Sequence, residues 1–167
     1  QPATKPHVAV DLNDVVVVSP TGGTTGLPKG VMNTHRSYQT AFAHFMIACP
    51  YEDAHRPVTL AAAPMTHTSG LLSLPVTARG GTVVVLAKPD PTLMLGAIAK
   101  HRVTEIFLPP TVIYRLLDIP DLQKKVDFSS LKYFLYGAAP MSVEKLKQAI
   151  EVFGPVMAGG YGQTEAP

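Results

Sequence analysis

The run Thr21-Gly-Gly-Thr-Thr-Gly-Leu-Pro-Lys-Gly30 crowds glycines, threonine hydroxyls and one lysine into a single short segment. Each residue type suits a polyphosphate. Glycine lets backbone N–H groups turn toward an anion, hydroxyls add donors, and a lysine adds a point charge. A plain connecting turn needs a glycine or two, but not the threonines and the lysine as well. A di- or triphosphate is the ligand such a loop fits. The order differs from the Walker A loop, in which the lysine opens a helix directly. Leu27-Pro28 separate Gly26 from Lys29, and the next helix is expected only near Thr34. The threonines would then hold phosphate from a flap rather than from a helix end.

Three further segments carry candidate groups. His67 follows an apolar run and Pro64-Met-Thr66, with Ser69-Gly70 after it. A lone histidine is often a hydrogen-bonded interior residue, but these neighbours favour a pocket. Gly137-Ala138-Ala139-Pro140 is either a close-packed strand end or a surface against which a flat purine can lie, and both readings can hold together. Tyr161, after Gly159-Gly160, can fill a core or stack on an aromatic base. Thr164-Glu165 sets one hydroxyl beside one carboxylate. Taken alone, Glu165 reads as a solvated glutamate. A single carboxylate does not make a protein-only metal cage, yet it suits Mg²⁺, which keeps waters and draws its other ligands from substrate phosphates. His7, His44, His55 and His101 show no metal-ligand spacing.

These groups need elements to position them. Val15–Val18 reads as a short strand buried on both faces. Strands are also expected at Val58–Ala63, Gly81–Leu86, Val103–Leu108, Leu131–Tyr136 and from Val156 to Ala158. Helices are expected at Ser37–Cys49 with Thr34 as cap, Thr68–Ala78 with a kink at Pro75, and Pro91–His101 with Asp90 as cap. Two more follow, at Thr111–Leu117 and at Ser142–Phe153, where Val143, Leu146, Ile150 and Phe153 share a face. Strands alternating with helices predict an α/β fold, a mostly parallel sheet with helices on both faces. Ligands of such sheets sit beyond the carboxyl ends of the strands, and every segment singled out above follows a strand.

Composition bounds the rest. Apolar residues are 46% and charged residues 16% of the 167, the balance of a globular chain. Fourteen Lys plus Arg against twelve Asp plus Glu give +2, too little for a nucleic-acid or polybasic membrane surface. Cys49 is the one cysteine, which excludes an intrachain disulfide and a cysteine zinc cage and fits a reducing, cytoplasmic compartment. No apolar run is long enough for a transmembrane segment. The chain opens without Met and stops soon after Glu165, so it is read as cut at both ends from a longer protein. Apolar surface left open by such cuts would drive self-association.

The run TGGTTGLPKGV, Thr21 to Val31, resembles the phosphate-loop signature of the adenylate-forming superfamily: acyl-CoA synthetases, luciferases and peptide-synthetase adenylation domains. The family pattern usually has Ser or Thr where Gly22 stands, which leaves Gly22 a backbone role. Pro64-Met-Thr-His67, Tyr136-Gly-Ala-Ala-Pro140 and Tyr161-Gly-Gln-Thr-Glu165 resemble the superfamily's later motifs, in its order, so the likeness covers nearly the whole chain. His35 matches a histidine frequent in the family and is expected to brace the loop.

The resemblance implies attack of a carboxylate on the α-phosphorus of ATP, release of pyrophosphate, and transfer of the acyl group from the adenylate to a thiol. It implies that Thr21, Gly22, Gly23, Thr24, Thr25, Gly26 and Lys29 surround the phosphates, with Thr24, Thr25 and Lys29 on the β- and γ-phosphates. Gly137, Ala138, Ala139, Pro140, Tyr161, Gly162 and Gln163 would surround adenine, Thr164 would meet the α-phosphate, and Glu165 would hold Mg²⁺. His67, Ala158, Gly159 and Gly160 would border the acyl group. Room left by Gly159 and Gly160 favours a fatty or aryl acid, and coenzyme A as the thiol, over a peptide-synthetase amino acid. Residues 1–167 would then be a nucleotide-binding subdomain of the large amino-terminal domain. The lysine-bearing carboxy-terminal domain and part of the amino-terminal domain would lie outside it, leaving the piece with little turnover. Two other readings stand beside this one: a phosphate-loop hydrolase or kinase, and a non-catalytic nucleotide-binding module.

Overall fold

The computed structural model describes residues 8–21, 29–52 and 55–166. A two-stranded antiparallel ribbon, β1 (Val15–Thr21) and β2 (Lys29–Thr34), leads into α1 (His35–Ala48). There follow β3 (Val58–Ala61), α2 (Thr68–Ala78), β4 (Thr82–Val85), α3 (Pro91–His101), β5 (Glu105–Leu108) and α4 (Pro110–Leu117). The chain continues through α5 (Leu122–Lys125), β6 (Tyr133–Tyr136), α6 (Val143–Phe153) and β7 (Met157–Gly159).

Strands β3 to β7 form one five-stranded parallel sheet in the order β4-β3-β5-β6-β7. The order dictates where the helices go. The step from β3 to β4 runs one way along the sheet, and every later crossover runs the other. Right-handed crossovers therefore put α2 on one face and α3, α4 and α6 on the opposite face. The packing agrees. Leu60, Ile106, Leu108 and Phe134 share a buried cluster with Met94 and Ile98 of α3, Ile113 and Leu116 of α4, and Phe153 of α6. Glu105 and Leu135, one residue out of phase with Ile106 and Phe134, face Phe45 of α1 and Leu72 and Pro75 of α2. Each fully buried Leu, Ile or Phe contributes about 1.5–3 kcal/mol.

Local chemistry sets the element ends. Thr34 and Ser37 form a reciprocal capping box, Thr34 Oγ1 accepting from Ser37 N at 3.2 Å and Ser37 Oγ accepting from Thr34 N at 3.0 Å. Asp90 and Ser142 cap α3 and α6 in the same way from one side. Gly154, at φ +93°, ends α6 in a backbone region that favours glycine.

Two expectations change, and one element is added. Val15–Val18 is no buried strand of the main sheet: it pairs antiparallel with Lys29–Thr34, and Val15, Val16 and Val18 are 47%, 40% and 60% exposed. The segment between Thr21 and Lys29 is too short for the crossover that parallel pairing demands, so a hairpin is the accessible solution. The buried stripe of α6 runs through Ala149 and Phe153, whereas Val143 and Ile150 face out, because alanine carries the core phase that a count of large apolar residues passes over. The short helix α5, with Leu122 buried, has no apolar period of its own length to announce it.

Candidate active site

All five strands of the sheet point their carboxyl ends to one edge, and three segments that leave this edge hold candidate groups, whereas the run from Thr21 to Lys29 connects the two strands of the separate ribbon. His67 follows β3, Gly137–Pro140 follow β6, and Gly160–Glu165 follow β7. With β5 between them, β3 and β6 stand about 10 Å apart, and β7 lies one strand further on.

The β6 and β7 ends are in direct apposition. Gly160 N donates to Tyr136 O at 2.8 Å, continuing the ladder one residue past β7. Gly137 is buried there, and a Cβ on it would stand 2.7 Å from Gly160 O and 3.4 Å from the Phe107 ring. Only glycine fits without a shift. The next residue, Ala138, has φ +65°, the left-handed region that costs a non-glycine residue about 1–2 kcal/mol. Ala138, Ala139 and Pro140 are exposed at the top of this turn. The small residues therefore serve both close packing below and an open ledge above.

Beyond Gly160, the chain closes into a tight turn. Gln163 N donates to Ala166 O at 3.1 Å, and Ala166 N returns to Gln163 O at 3.0 Å. Thr164 and Glu165 occupy the two central positions, with Glu165 exposed. Gln163 Nε2 donates to Tyr161 Oη at 2.6 Å, which fixes one end of a ring that is otherwise 90% exposed. Tyr161 is thus not core filling. An exposed tyrosine ring one residue past Gly160, whose backbone meets the β6 end at Tyr136 and Gly137, is suited to an aromatic base.

The ribbon approaches the same turn. Register pairs Thr21 with Lys29, which brings the two ends of the glycine-threonine loop together. Gly22, Gly23, Thr24, Thr25 and Gly26 fall outside the described residues, as does the loop they form. Further along β2, the buried Asn33 donates its side-chain Nδ2 to Thr164 O at 3.5 Å, across 131 residues of sequence. His35, expected to brace the loop, opens α1 and donates its backbone N–H to Asp14 O at 3.1 Å.

His67 caps α2. Its Nδ1 accepts from Thr68 N at 2.8 Å, and Thr68 Oγ1 lies 2.8 Å from the same nitrogen. A backbone N–H can only donate, so Nδ1 is the acceptor and the proton of the neutral ring sits on Nε2. The ring is exposed at the carboxyl edge, not interior. The space over Gly159 differs from the expectation of an open cavity. A Cβ there would meet Tyr136 Oη at 3.0 Å, so the Tyr136 ring already occupies it. At Gly160 the nearest atom is Tyr136 O at 3.9 Å, and room remains. Tyr136 opens a motif the sequence singled out, but its part in filling the space over Gly159 was missed, because its register opposite Gly159 follows only from the pairing of β6 and β7.

For a metal, the described residues hold no cluster of three or more His, Cys, Asp or Glu. Glu165, one exposed carboxylate at a turn tip, fits only an ion that takes most of its ligands elsewhere, and that is the chemistry of Mg²⁺ with polyphosphate.

A buried polar group lies outside this site. Glu105, on the α1–α2 face, accepts from Tyr51 Oη at 3.0 Å, and Arg79 lies nearby. Burial raises its carboxyl above the ordinary value, against the hydrogen bond from Tyr51 and the charge of Arg79, which lower it. Arg79 itself donates to Met46 O and Cys49 O at the end of α1 and stacks over the Tyr51 ring at 5.2 Å.

Comparison with known proteins fits this geometry. The family described as AMP-binding enzyme matches residues 1–167, and the chain belongs to that family. The chain is 39% identical over 165 residues to a medium/long-chain-fatty-acid–CoA ligase, FadD8, of Mycobacterium tuberculosis, covering 98% of this chain and 28% of that protein. It is 33% identical over 163 residues to a feruloyl-CoA synthase of an Amycolatopsis species, covering 96% and 32%. Among solved structures, the amide bond synthetase McbA of Marinactinospora thermotolerans aligns with TM-score 0.83 at 34% identity, over 91% of this chain and 30% of that one. The inhibitor-bound N-terminal domain of FACL13 from M. tuberculosis aligns with TM-score 0.85 at 26% identity, over 98% and 40%. The chain therefore spans about a third of the length of the curated relatives it matches.

Proposed function

We propose that this chain is the nucleotide-binding part of an AMP-forming acyl-CoA ligase that activates a fatty or aryl carboxylic acid. The parent would join the acid to ATP as an acyl-adenylate, release pyrophosphate, and pass the acyl group to the thiol of coenzyme A. Relatives named as CoA ligases for fatty and hydroxycinnamic acids support the class, and the match of the whole chain to the AMP-binding family supports the nucleotide. On this reading residues 1–167 are one subdomain, a lysine-bearing carboxy-terminal domain and the rest of the amino-terminal domain lie outside them, and turnover needs all three. The single cysteine supports a cytoplasmic setting, and among the described residues no helix is long and apolar enough to cross a membrane.

The observation that carries the reading is the shared edge. Gly137–Pro140 and Tyr161–Glu165 leave the adjacent strands β6 and β7, and His67 leaves β3, two strands from β6, all on the side where ligands of parallel sheets bind. Tyr161 and the Gly137–Ala139 ledge would hold adenine between them. The Thr164 hydroxyl would donate to the α-phosphate, where charge grows as the carboxylate attacks. Thr24, Thr25 and Lys29 would hold the β- and γ-phosphates in line for departure. Glu165 would hold Mg²⁺, which when bound neutralises charge on the departing pyrophosphate. His67 and Gly160 would border the acid, with Tyr136 closing the floor over Gly159.

The test is a panel of carboxylic acids offered to the full-length protein, scored for AMP and pyrophosphate with and without coenzyme A. AMP that depends on the acid is expected, and Thr24→Ala or Lys29→Ala should lower it at least tenfold. Inorganic phosphate released from ATP without any acid would instead mark a hydrolase. Nucleotide binding with no product for any acid would mark a non-catalytic module.

A further inference from the structure

The ribbon inverts the usual burial order. Its large apolar residues Val18 and Met32 are 60% and 70% exposed, whereas the polar Asn33 is 4% exposed. An amide is buried at a cost unless it is hydrogen-bonded, so Asn33 is not inside for packing. Its side-chain donor meets the carbonyl of Thr164, the residue before the carboxylate at the tip of the turn. Alternation along β2 puts Lys29, Val31 and Asn33 on one side of the ribbon. The side that carries Lys29 is therefore the side pinned to the Thr164–Glu165 turn, with Lys29 about 13 Å along the strand from the pin.

We propose that Asn33 is a positioning residue: its amide, donated to the Thr164 carbonyl, sets where the Lys29 side of the ribbon stands relative to the Thr164–Glu165 turn, and so holds the two parts of a polyphosphate site at a fixed spacing. The inference rests on the nucleotide reading above and deepens it. A ligand that touches both parts feels the pin, and a ligand that touches only the turn and the adenine ledge does not. ATP with Mg²⁺ is the first kind and AMP the second.

The experiment is calorimetric binding of ATP with Mg²⁺, and separately of AMP, to the full-length protein and to Asn33→Leu, which keeps volume but removes the donor. The ATP dissociation constant should rise about tenfold while that of AMP stays within twofold, with little change in melting temperature of the unliganded protein. Asn33→Asp serves where Asn33→Leu does not fold: it should weaken ATP most at neutral pH and recover as the pH falls and a protonated carboxyl can donate again. Equal weakening of both nucleotides, or a lower melting temperature with the ATP to AMP ratio unchanged, would reduce Asn33 to a structural residue and overturn the proposal. Unchanged ATP affinity in either variant overturns it as well. Failure of the unaltered protein to bind either nucleotide would instead take down the nucleotide reading, and this proposal with it.

Discussion

Gly137 and Gly160 meet where β6 and β7 leave the sheet, so closely that a Cβ on Gly137 would stand 2.7 Å from the Gly160 carbonyl oxygen. The contact is backbone against side chain, and no rotamer relieves it. Gly137→Ala must push the two strand ends apart, at a cost of about 1–3 kcal/mol. Because the Tyr161 turn hangs from Gly160, the same shift should loosen nucleotide binding. The check is a melting curve together with AMP affinity. Both should fall in Gly137→Ala, and Gly160→Ala, which meets nothing nearer than 3.9 Å, should leave the melting curve almost unmoved.

Ala138 stores strain in the neighbouring turn, at φ +65°. Glycine adopts this region freely, so Ala138→Gly should relieve the strain, although greater freedom of the unfolded chain offsets part of the gain. The expected net is a stabilisation of about 0.5–1 kcal/mol, read by denaturant unfolding. Ala138→Val, with a branched Cβ in the same conformation, should destabilise. A result in which glycine is the less stable of the two would mean that the turn is not held in this conformation.

The main sheet was legible from alternation, since each of β3 to β7 falls within or against an expected strand and each of the five expected helices overlaps an observed one. The ribbon was not. Val15–Val18 has the composition of a core strand, and only the short span to Lys29 betrays a hairpin. Nothing in Lys29–Thr34 marks a strand, because Gly30 and Asn33 are poor strand formers and tertiary pairing overrides propensity. The candidate site was legible as motifs, but its joints were not. The Asn33–Thr164 contact spans 131 residues, and the filling of space over Gly159 by Tyr136 depends on strand register.

His67 has two roles that substitution can separate. As the cap of α2 its Nδ1 accepts from Thr68 N, a task asparagine can also perform. His67→Leu should cost about 1 kcal/mol of stability, and His67→Asn much less. If the ring also borders the acid, both variants should raise the KM for the acid alike, with the KM for ATP unchanged. Steady-state kinetics with each substrate varied in turn decides. An acid KM that returns to normal in His67→Asn would leave His67 as a cap alone.

Glu105 gives the fold a pH dependence of unusual sign. Burial raises its carboxyl in the folded chain above the ordinary value it regains on unfolding. The folded state therefore binds the proton more tightly, and the stability this group contributes is full below the ordinary value. It is lost as the pH rises from there through the raised folded value. Most carboxylates act oppositely, losing their stabilisation as the pH falls. Glu105→Gln removes the titration and can still accept the hydrogen bond from Tyr51 Oη, which stands 3.0 Å from the carboxylate. Denaturant unfolding between pH 4 and 8 should show the unaltered protein gaining less stability with pH than Glu105→Gln does, with the two curves closest at the acid end. Arg79 keeps its bonds to Met46 O and Cys49 O in the variant, so the α1–α2 face should stay closed and the curves should differ in slope, not in cooperativity. Curves that run parallel across the range would mean that Glu105 titrates at its ordinary value and is open to water.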